Sequence, residues 1–369
     1  MIDAKKLLSD LQAQQKKLEA DLRQQIASQP ELKARLQADY QAAFAAGRTA
    51  DTFNAWSDNE ITQAAVAWLL ACTFVRFCED NGLIAAPMLA GPGDALRRAR
   101  DAASEFFRLN PTQNDRHYLE HCFDQMADIP SVAGLFDRAH NPLFGLPLSF
   151  EAARAVLVFW QRVNPDTGTL LHDFRDEALN TRFLGDLYQD LSEAARKRYA
   201  LLQTPEFVEE FILERTLDPA IQTFGLKGIR LIDPTCGSGH FLLGTFQHLL
   251  AEWRRQAPGL DAREHVIEAL SGVYGVDLNP FAVSIARFRL LVAALQASGI
   301  RTLKEAPGWR LNLTTGDSLL HGRRFDLLGA DDLSNRYPHV YGVEDIDEIN
   351  RILGQQYHAV VGIPPYITA

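Results

Sequence analysis

An apolar run that ends in a glycine-containing turn carries the first residues suited to chemistry. Ile229–Asp233 ends in an acid, and the sequence continues Pro-Thr-Cys-Gly-Ser-Gly-His-Phe-Leu over 234–242. Gly237 and Gly239 allow the backbone to approach a ligand closely. The helix predicted next offers free N–H groups to a carboxylate or phosphate. A Gly-x-Gly alone is equally typical of a tight turn, but the flanking strand, helix and acid favour a ligand site.

A second acid stands at the end of the next apolar run. Val273–Leu278 is followed by Asn279 and Pro280, and Asp277 falls near the carboxyl end of the strand that this run predicts. A carboxylate at such a strand end is well placed to accept hydrogen bonds from both hydroxyls of a ribose. The alternative is that Asp277 or Asn279 caps a helix that begins near Pro280.

Two further predicted strand ends carry polar or aromatic groups. The run Leu311–Gly316 leads into Asp317 and Ser318, where a carboxylate could accept from an exocyclic amine. The run His358–Gly362 leads into the segment Ile-Pro-Pro-Tyr at 363–366. In a parallel sheet these carboxyl ends all lie at one edge, which is where ligands bind.

Together, these segments resemble N6-adenine-specific DNA methyltransferases. The similar segments are DPTCGSGHFL, GVDLNPFAV, GDSL and a loop of the form xPPY, and TPEFV at 204–208 resembles the additional cofactor-binding segment of this family. The likeness extends to the large methyltransferases of phage-growth-limitation, or BREX, defence systems. The stretches TQAAVAWLLACTFVRFCEDNGLI and RFLGDLYQDLSEAARKRYALLQTPEFV are also similar to those proteins. The resemblance covers essentially the whole chain, but only about the amino-terminal third of such a protein.

The resemblance implies S-adenosylmethionine as the methyl donor and N6 of adenine in DNA as the acceptor. The cofactor-binding residues that it implies are Thr204, Pro205, Phe207, Asp233, Cys236, Gly237, Ser238, Gly239, Asp277, Leu278, Asp317 and Ser318. The first three would line the methionine end of the cofactor, and Asp233 with the glycine turn would hold its amino-acid portion. Asp277 would bind the ribose hydroxyls. Asp317 would recognise the adenine amine, with Ser318 or Leu319 beside the ring.

The fourth motif departs from the family at one position. Family members have Asn or Asp before Pro-Pro-Tyr or Pro-Pro-Phe, whereas this chain has Ile363 before Pro364, Pro365 and Tyr366. In the family, the polar side chain and the following proline carbonyl accept hydrogen bonds from the target amine, and the aromatic ring stacks on the flipped base. Ile363 has no acceptor, so we expect cofactor binding to persist and methyl transfer to be lost.

The elements that must position these motifs fall into two halves. Before residue 229 the apolar spacing is helical. It predicts a hairpin over 1–48 broken at Pro30, a buried helix over 61–80, helices at 94–109, 114–127 and 149–162, and a polar helical segment over 166–198. From residue 229, short apolar runs alternate with helices at about 239–256 and 280–298.

Strands that alternate with helices are typical of a parallel sheet covered on both faces. The sequence therefore predicts an α/β protein with two domains. An all-α N-terminal domain, 1–198, is followed in 199–369 by an incomplete Rossmann-like sheet of an S-adenosylmethionine-dependent methyltransferase.

Composition is typical of a globular cytoplasmic protein. Hydrophobic residues make up 47% of the chain and charged residues 23%, which excludes a disordered or fibrous chain. No run reaches about 18 consecutive apolar residues, and the N-terminus has no signal core. The four cysteines form no CxxC pair, so neither a metal site nor a disulfide framework is indicated. We therefore predict no membrane partner.

The net charge of −10 argues against a main DNA-binding surface in this segment, because DNA affinity comes largely from Lys and Arg at phosphates. The chain ends three residues after Tyr366, before the further strands and target-recognition region of the family. DNA is therefore expected to be held mainly by that absent region, and other proteins of the defence system are the further partners considered. We also expect one side of the central strand pair to be left uncovered.

Two other classes of function compete with this interpretation. A nicotinamide-dependent oxidoreductase shares the strand–glycine–helix arrangement, but Leu242 stands where the third glycine of G-x-G-x-x-G belongs. A non-catalytic module that binds the cofactor or docks partner proteins is favoured by Ile363. The pattern H-x-x-E-H at His117–His121 is typical of zinc peptidases, but its surroundings indicate an ordinary amphipathic helix.

Overall fold

The computed structural model describes residues 2–45, 47, 49–138, 141–191, 205–319 and 346–362. Over these residues the protein is mostly helical and contains a small parallel sheet. The chain divides into two compact units. The first holds residues up to Asn180, the segment that starts at Leu187, and Arg301–Glu305. The second holds Thr181–Asp186, a long stretch that ends at Ile300, and the chain from Ala306. The predicted boundary at 198/199 lies outside the described residues.

Helices build the first unit where apolar residues recur at helical spacing. They are α1 Ala4–Ser28, α2 Pro30–Ala45, α3 Phe53–Asp80, α4 Asp94–Leu109, α5 Asp115–Ala127 and α6 Phe150–Trp160, and the boundary between the units falls within α7, Arg182–Leu191. One face of α1 is buried through its leucines. Asp3 caps α1 by accepting the Lys6 N–H at 3.0 Å. The expected break falls at Pro30, whose fixed φ and missing N–H suit the first position of a helix.

A charged cluster is buried at the end of α3. Arg76 Nη2 donates to both carboxylate oxygens of Asp80, at 2.6 and 2.7 Å, and Arg76 Nε lies 3.3 Å from Glu79 Oε2. The Glu79 carboxylate accepts three consecutive backbone N–H groups, those of residues 88–90. Asp80 Oδ2 accepts the N–H of Phe174 at 2.8 Å. The end of α3 thereby satisfies backbone donors of two loops that would otherwise be buried without partners.

The predicted helical segment over 166–198 is wrong in its first half. Residues 162–171 form a turn in which the N–H of Gly168 donates to Asn164 O and that of Leu171 to Arg162 O, both at 2.8 Å. Val163 and Leu170 pair as an antiparallel bridge. Asn-Pro-Asp-Thr-Gly at 164–168 favours this turn, because these residues offer local hydrogen bonds and a positive φ. Only α7 within this stretch is helical among the described residues.

Four parallel strands form the sheet of the second unit, each inside one of the predicted apolar runs. The strands are β1 Leu231–Asp233, β2 Val273–Asp277, β3 Asn312–Thr315 and β4 Ala359–Val360, in the order β3-β2-β1-β4. Leu231 pairs with Val273 on one side and Ala359 on the other. The central pair β1–β2 is therefore flanked on both sides, and the expectation of an uncovered side is wrong for the described residues.

The helices of the second unit cover this sheet. They are α8 Glu206–Phe224, α9 His240–Gln256, α10 Ala262–Ser271, α11 Pro280–Ser298 and α12 Ile346–Leu353. One apolar core joins α8, α9, α10 and α11 to the strands, with Leu242, Phe246 and Leu290 fully buried. A smaller cluster joins Ile352 of α12 to β1 and β2. The two clusters contain different side chains of β1 and β2, as the alternation along a strand requires.

Two helices, α3 and α11, are long and apolar enough by composition to cross a membrane. Neither helix contains an unbroken run of about 18 apolar residues, because Arg76 interrupts α3 and Arg287 and Arg289 interrupt α11, so the expectation about such runs stands. Within the protein, 89% of the most apolar window of α3 and 67% of that of α11 are buried. Core helices of globular proteins have the same properties, so their composition is only weak support for a membrane span.

We predict that Arg76→Met destabilises the protein by about 3–5 kcal/mol, because it leaves the Glu79 and Asp80 carboxylates buried without their cation. Urea unfolding followed by circular dichroism measures the change. The matched control is Arg97→Met, since Arg97 forms a highly exposed ion pair with Asp94 on α4. If both variants unfold at the same urea concentration, the α3 cluster does not contribute as argued.

Candidate cofactor site at the sheet edge

The predicted acids lie at the carboxyl edge of the sheet. Asp233 is the last residue of β1 and Asp277 the last of β2, and Asp277 is in register with Thr315 at the end of β3. Because the strands are parallel, these ends share one edge. The N–H of Gly316 donates to Asp277 O at 2.9 Å. The third strand end is thereby joined to the second.

The turn at 236–239 is held by four separate contacts. The Cys236 N–H donates to Val276 O at 3.0 Å, and the Gly237 N–H donates to Asp277 Oδ2 at 2.8 Å. Arg289 Nη1 donates to Ser238 O at 2.6 Å. Gly239 has φ +83° and lies so close to α11 that a Cβ there would be 2.8 Å from Ala286 Cβ. The turn is therefore fixed before any ligand arrives.

This geometry changes the expected role of the glycine turn. The N–H of Gly237 is used by Asp277, and that of Gly239 donates to Cys236 O at 2.8 Å. Neither group is left for a ligand. The N–H groups of the first turn of α9, which begins at His240, have no partners within that helix. The unpartnered N–H groups nearest the turn in the described part of the chain are therefore those at the start of α9, and the turn positions them.

The Asp277 carboxylate links the end of β2 to the turn after β1, and the neighbouring Asn279 caps α11. Asp277 Oδ1 accepts the Asn279 N–H at 2.9 Å, and Asp277 Oδ2 accepts the Gly237 N–H. The Asn279 side chain caps α11 by accepting from Phe281 and Ala282. Each carboxylate oxygen can accept two hydrogen bonds, so Asp277 retains acceptor capacity for a pair of hydroxyls. Leu278, beside it, is partly buried.

Asp233 is a buried carboxylate that no described lysine or arginine pairs with. Its Oδ1 accepts from the Thr235 N–H at 3.0 Å and the Thr235 hydroxyl at 3.4 Å. Burial, together with the nearby Asp277 charge, raises the pKa of Asp233 to about 7. Burial also raises the pKa of Asp277. Two carboxylates lie in one desolvated place, and no described lysine or arginine pairs with Asp233, which makes this edge of the sheet a candidate ligand site.

The fourth strand ends against the same carboxylate. A Cβ at Gly362 would lie 2.8 Å from Asp233 Oδ1 and 3.2 Å from Thr235 Oγ1. Gly362 is the last described residue before the Ile-Pro-Pro-Tyr segment, whose predicted residues Ile363, Pro364, Pro365 and Tyr366 lie outside the described residues. The start of the fourth loop is therefore placed at the first acid.

The remaining predicted residues lie at neighbouring positions. Asp317 and Ser318 follow β3 and are partly buried, and Asp317 Oδ1 accepts the Leu319 N–H at 2.8 Å. Pro205 is the N-cap of α8, and Phe207 is 73% exposed. Thr204 lies outside the described residues. No described contact joins Phe207 to Asp233 or Asp277.

The Cys236 thiol faces the sheet and is buried. A Cβ at Gly275 would lie 3.1 Å from Cys236 Sγ, and burial raises the pKa of this thiol well above its usual range. Cys236 therefore packs beneath the turn as a neutral thiol.

Sequence analysis missed several residues that hold the turn. Thr235 is the hydrogen-bond partner of Asp233, and Asn279 is the cap that the sequence left unassigned between two residues. Arg289, buried in the apolar helix α11, supports Ser238. An arginine inside an apolar helical run is a signal that could have identified it, because such a charge requires a buried partner.

The two histidines of the H-x-x-E-H pattern have local roles. His117 Nδ1 accepts the Asn114 N–H as part of a capping box at the start of α5. The His121 ring stacks on Phe106 at a centroid distance of 4.9 Å.

We predict that Asp277→Asn lowers the free energy of unfolding by about 1–3 kcal/mol. An amide has one acceptor oxygen, so its NH₂ group must face the N–H of Gly237 or of Asn279. Asp317→Asn is the control, because an amide oxygen can still accept the Leu319 N–H. Equal stability of the two variants in urea unfolding would contradict the linking role of Asp277.

Known proteins match this chain along its length. A family profile described as the DNA-methyltransferase domain of MmeI matches residues 220–368. The adenine-specific methyltransferase PglX of Streptomyces coelicolor is 49% identical over 384 residues, which cover 100% of this chain and 32% of that protein. A putative type II restriction enzyme and methyltransferase of Methanocaldococcus jannaschii is 24% identical over 328 residues, covering 69% of this chain and 27% of the relative.

DNA methyltransferase A of Bacillus subtilis is 24% identical over 192 residues, which cover 46% of this chain and 21% of that protein. The chain thus spans between about a fifth and a third of the length of these relatives. The expectation that the likeness covers the whole chain, but only about a third of such a protein, is confirmed. The chain is similar over its full length to the adenine-specific methyltransferase PglX, and residues 220–368 match the profile of a DNA-methyltransferase domain.

Proposed function

We propose that this chain forms the S-adenosylmethionine-binding part of an N6-adenine DNA methyltransferase of a phage-defence system. One observation carries the proposal. Asp233, Asp277, the start of α9 and the start of the fourth loop meet at a single edge of a parallel sheet, in a chain that is 49% identical to an adenine-specific methyltransferase. The DNA substrate, the defence-system partners and a cytoplasmic location are part of the proposal.

The chemistry of the donor set fits the amino-acid end of this cofactor. That end carries an ammonium group and a carboxylate. Asp233 is a buried acceptor without a described cationic partner, and it suits the ammonium group. The start of α9 presents N–H groups and the positive end of a helix dipole, which suit the carboxylate.

The nucleoside end is assigned to the next two strand ends. Asp277 keeps one acceptor site on each oxygen, which matches two ribose hydroxyls. Asp317 is assigned to the adenine amine, with Ser318 or Leu319 beside the ring. Thr204, Pro205 and Phe207 are assigned to the methionine side, and the exposed ring of Phe207 is available for such a contact. When bound, S-adenosylmethionine supplies an electrophilic methyl group on a sulfonium.

The target adenine belongs to the fourth loop. Tyr366 would stack on a base flipped out of the duplex, a contribution of about 1–3 kcal/mol. The Pro364 carbonyl would accept one hydrogen bond from the target amine, but Ile363 cannot accept the second. Loss of one preorganised polar contact of this kind typically lowers a rate by about 10²–10³. We therefore propose that this chain binds the cofactor and transfers methyl groups poorly.

Ile363 also favours a second candidate, a non-catalytic cofactor-binding or partner-docking module. The two candidates share the cofactor site; they differ in turnover and, for the docking alternative, in the binding of partner proteins by the helical N-terminal part. A nicotinamide-dependent oxidoreductase has less support, because the start of α9 carries Leu242 in place of the third glycine.

We predict that S-adenosylmethionine binds more tightly as pH rises from about 5.5 to 7.5. The pKa of Asp233 is raised to about 7, so the carboxylate that should receive the ligand ammonium is largely protonated at the acidic end of this range. Isothermal titration calorimetry across the range measures the change, with NAD as the negative control ligand.

Asp233→Asn is the matched variant for this titration. This variant should bind S-adenosylmethionine weakly at every pH, and its affinity should not increase as pH rises from about 5.5 to 7.5. The stability of the ligand-free protein should change in the opposite direction and fall as pH rises. Because the folded pKa lies above the usual 3.8, ionisation of Asp233 lowers stability as pH rises from about 4 to 7, and Asp233→Asn removes that loss. Tight binding of NAD, or no binding of S-adenosylmethionine at any pH, would defeat the proposed function.

We predict that Ile363→Asn raises adenine methylation by about 10²-fold over the native chain, because it restores the missing acceptor. Incorporation of labelled methyl groups into adenine-containing DNA measures turnover, with Ile363→Val as the control that keeps an apolar side chain. Native turnover equal to that of Ile363→Asn would overturn the claim of poor transfer. Absence of turnover in all three would favour the non-catalytic module.

A further inference from the structure

Arg289 of α11 is a fully buried cation beside the turn at 236–239. It is 1% exposed, and its Nη1 donates to Ser238 O at 2.6 Å. Ala286, one helical turn earlier on α11, packs against Gly239. The same face of α11 therefore fixes two consecutive residues of the turn.

The charge of Arg289 is costly to bury and is balanced by neighbours. Burial lowers the pKa of Arg289 to about 10, while the carboxylates of Asp186 and Glu209 oppose this shift and Arg182 adds to it. The guanidinium therefore stays cationic at neutral pH. A methionine or leucine at this position in an apolar helix would avoid the desolvation cost, so the structure keeps the arginine for a contact that a hydrocarbon cannot make.

Gly185 makes room for this contact. A Cβ at Gly185 would lie 2.5 Å from Arg289 Nη1 and 2.8 Å from Ser238 Oγ. Any side chain there would displace the Arg289 guanidinium or the Ser238 hydroxyl, because real Cβ atoms do not approach so closely.

Two residues near Gly185, Arg182 and Asp186, contact the helices on either side of β1. Asp186 Oδ1 lies 3.1 Å from Nε2 of His240, the first residue of α9. Arg182 Nη1 donates to Glu209 of α8 at 3.3 Å. The segment Thr181–Asp186, which belongs to the second unit, is thereby attached to the first residue of α9 and to the first turn of α8.

We propose that Arg289 and Gly185 are positioning residues for the amino-acid end of S-adenosylmethionine, which rests on the proposed function. Arg289 fixes the Ser238 carbonyl and hence the direction in which the first N–H groups of α9 point. The nucleoside end depends on Asp277 and Asp317 instead, so the two ends of the ligand should respond differently to loss of Arg289.

Two ligands separate the two ends: S-adenosylhomocysteine carries the amino-acid portion, and 5′-methylthioadenosine lacks it. We predict that Arg289→Met weakens S-adenosylhomocysteine about tenfold or more. Binding of 5′-methylthioadenosine should change less than about threefold. Isothermal titration calorimetry, with competition for weak binding, measures both affinities on the full chain.

The matched control is Arg287→Met. Arg287 lies on the same helix, is partly buried, and donates to the carbonyl of Leu313 on β3 rather than to the turn. It should leave the ratio of the two affinities unchanged. Arg289→Lys, which keeps the charge and a donor, should recover part of the lost affinity.

Gly185→Ala provides a second route to the same loss, because its Cβ displaces Arg289 without removing the charge. Thermal unfolding identifies variants that do not fold. If Arg289→Met and Gly185→Ala do not fold, the comparison rests on Arg289→Lys, which should still weaken the binding of S-adenosylhomocysteine more than that of 5′-methylthioadenosine. Equal weakening of both ligands, or no weakening of either, would overturn the positioning role. Failure of the native chain to bind either ligand would instead refute the proposed function.

Discussion

The hydrogen bond from the Gly237 N–H to the Asp277 carboxylate is the contact on which the candidate site depends. A glycine-containing turn has many conformations to lose on folding, and this bond attaches it to the end of the neighbouring strand at 2.8 Å. It brings the first acid, the start of α9 and the second acid to one place. It also leaves Asp277 partly unsatisfied as an acceptor, so the residue that orders the turn retains the capacity to bind a ligand.

Both units bury carboxylates, and the contrast between them distinguishes structure from function. Glu79 accepts three backbone N–H groups and has Arg76 beside it, which is the pattern of a network that fixes loops. Asp233 accepts only from Thr235 among the described residues, and its pKa is raised to about 7. Burial raises the pKa of Glu79 as well, so the contrast lies in the partners: Glu79 has a cation and three N–H donors, whereas Asp233 has no cationic partner among the described residues and is the better candidate for a ligand contact.

The sequence predicted the elements with strong periodicity and missed the tertiary contacts. The leucine stripe of α1 and the apolar runs that end in acids place helices and strands correctly, because burial alone fixes them. The segment over 166–181 was predicted helical from its polar character, and the turn residues at 164–168 outweighed that pattern. The acids at the strand ends were identifiable from spacing. The use of the glycine N–H groups within the turn was not, because Asp277 lies 40 residues from Gly237 along the chain.

In the proposed function, cofactor binding and base recognition meet at Asp233. Gly362 lies against its carboxylate, and the next residue is Ile363, where the family has its acceptor. A charge change at Asp233 therefore acts on both the ligand ammonium and the start of the fourth loop. A substitution at position 363 is proposed to alter only the second of these, because the residue is assigned to the target amine and not to the cofactor. On the proposed assignment, a substitution at position 363 therefore affects methyl transfer alone, whereas a substitution at Asp233 affects both cofactor binding and base recognition.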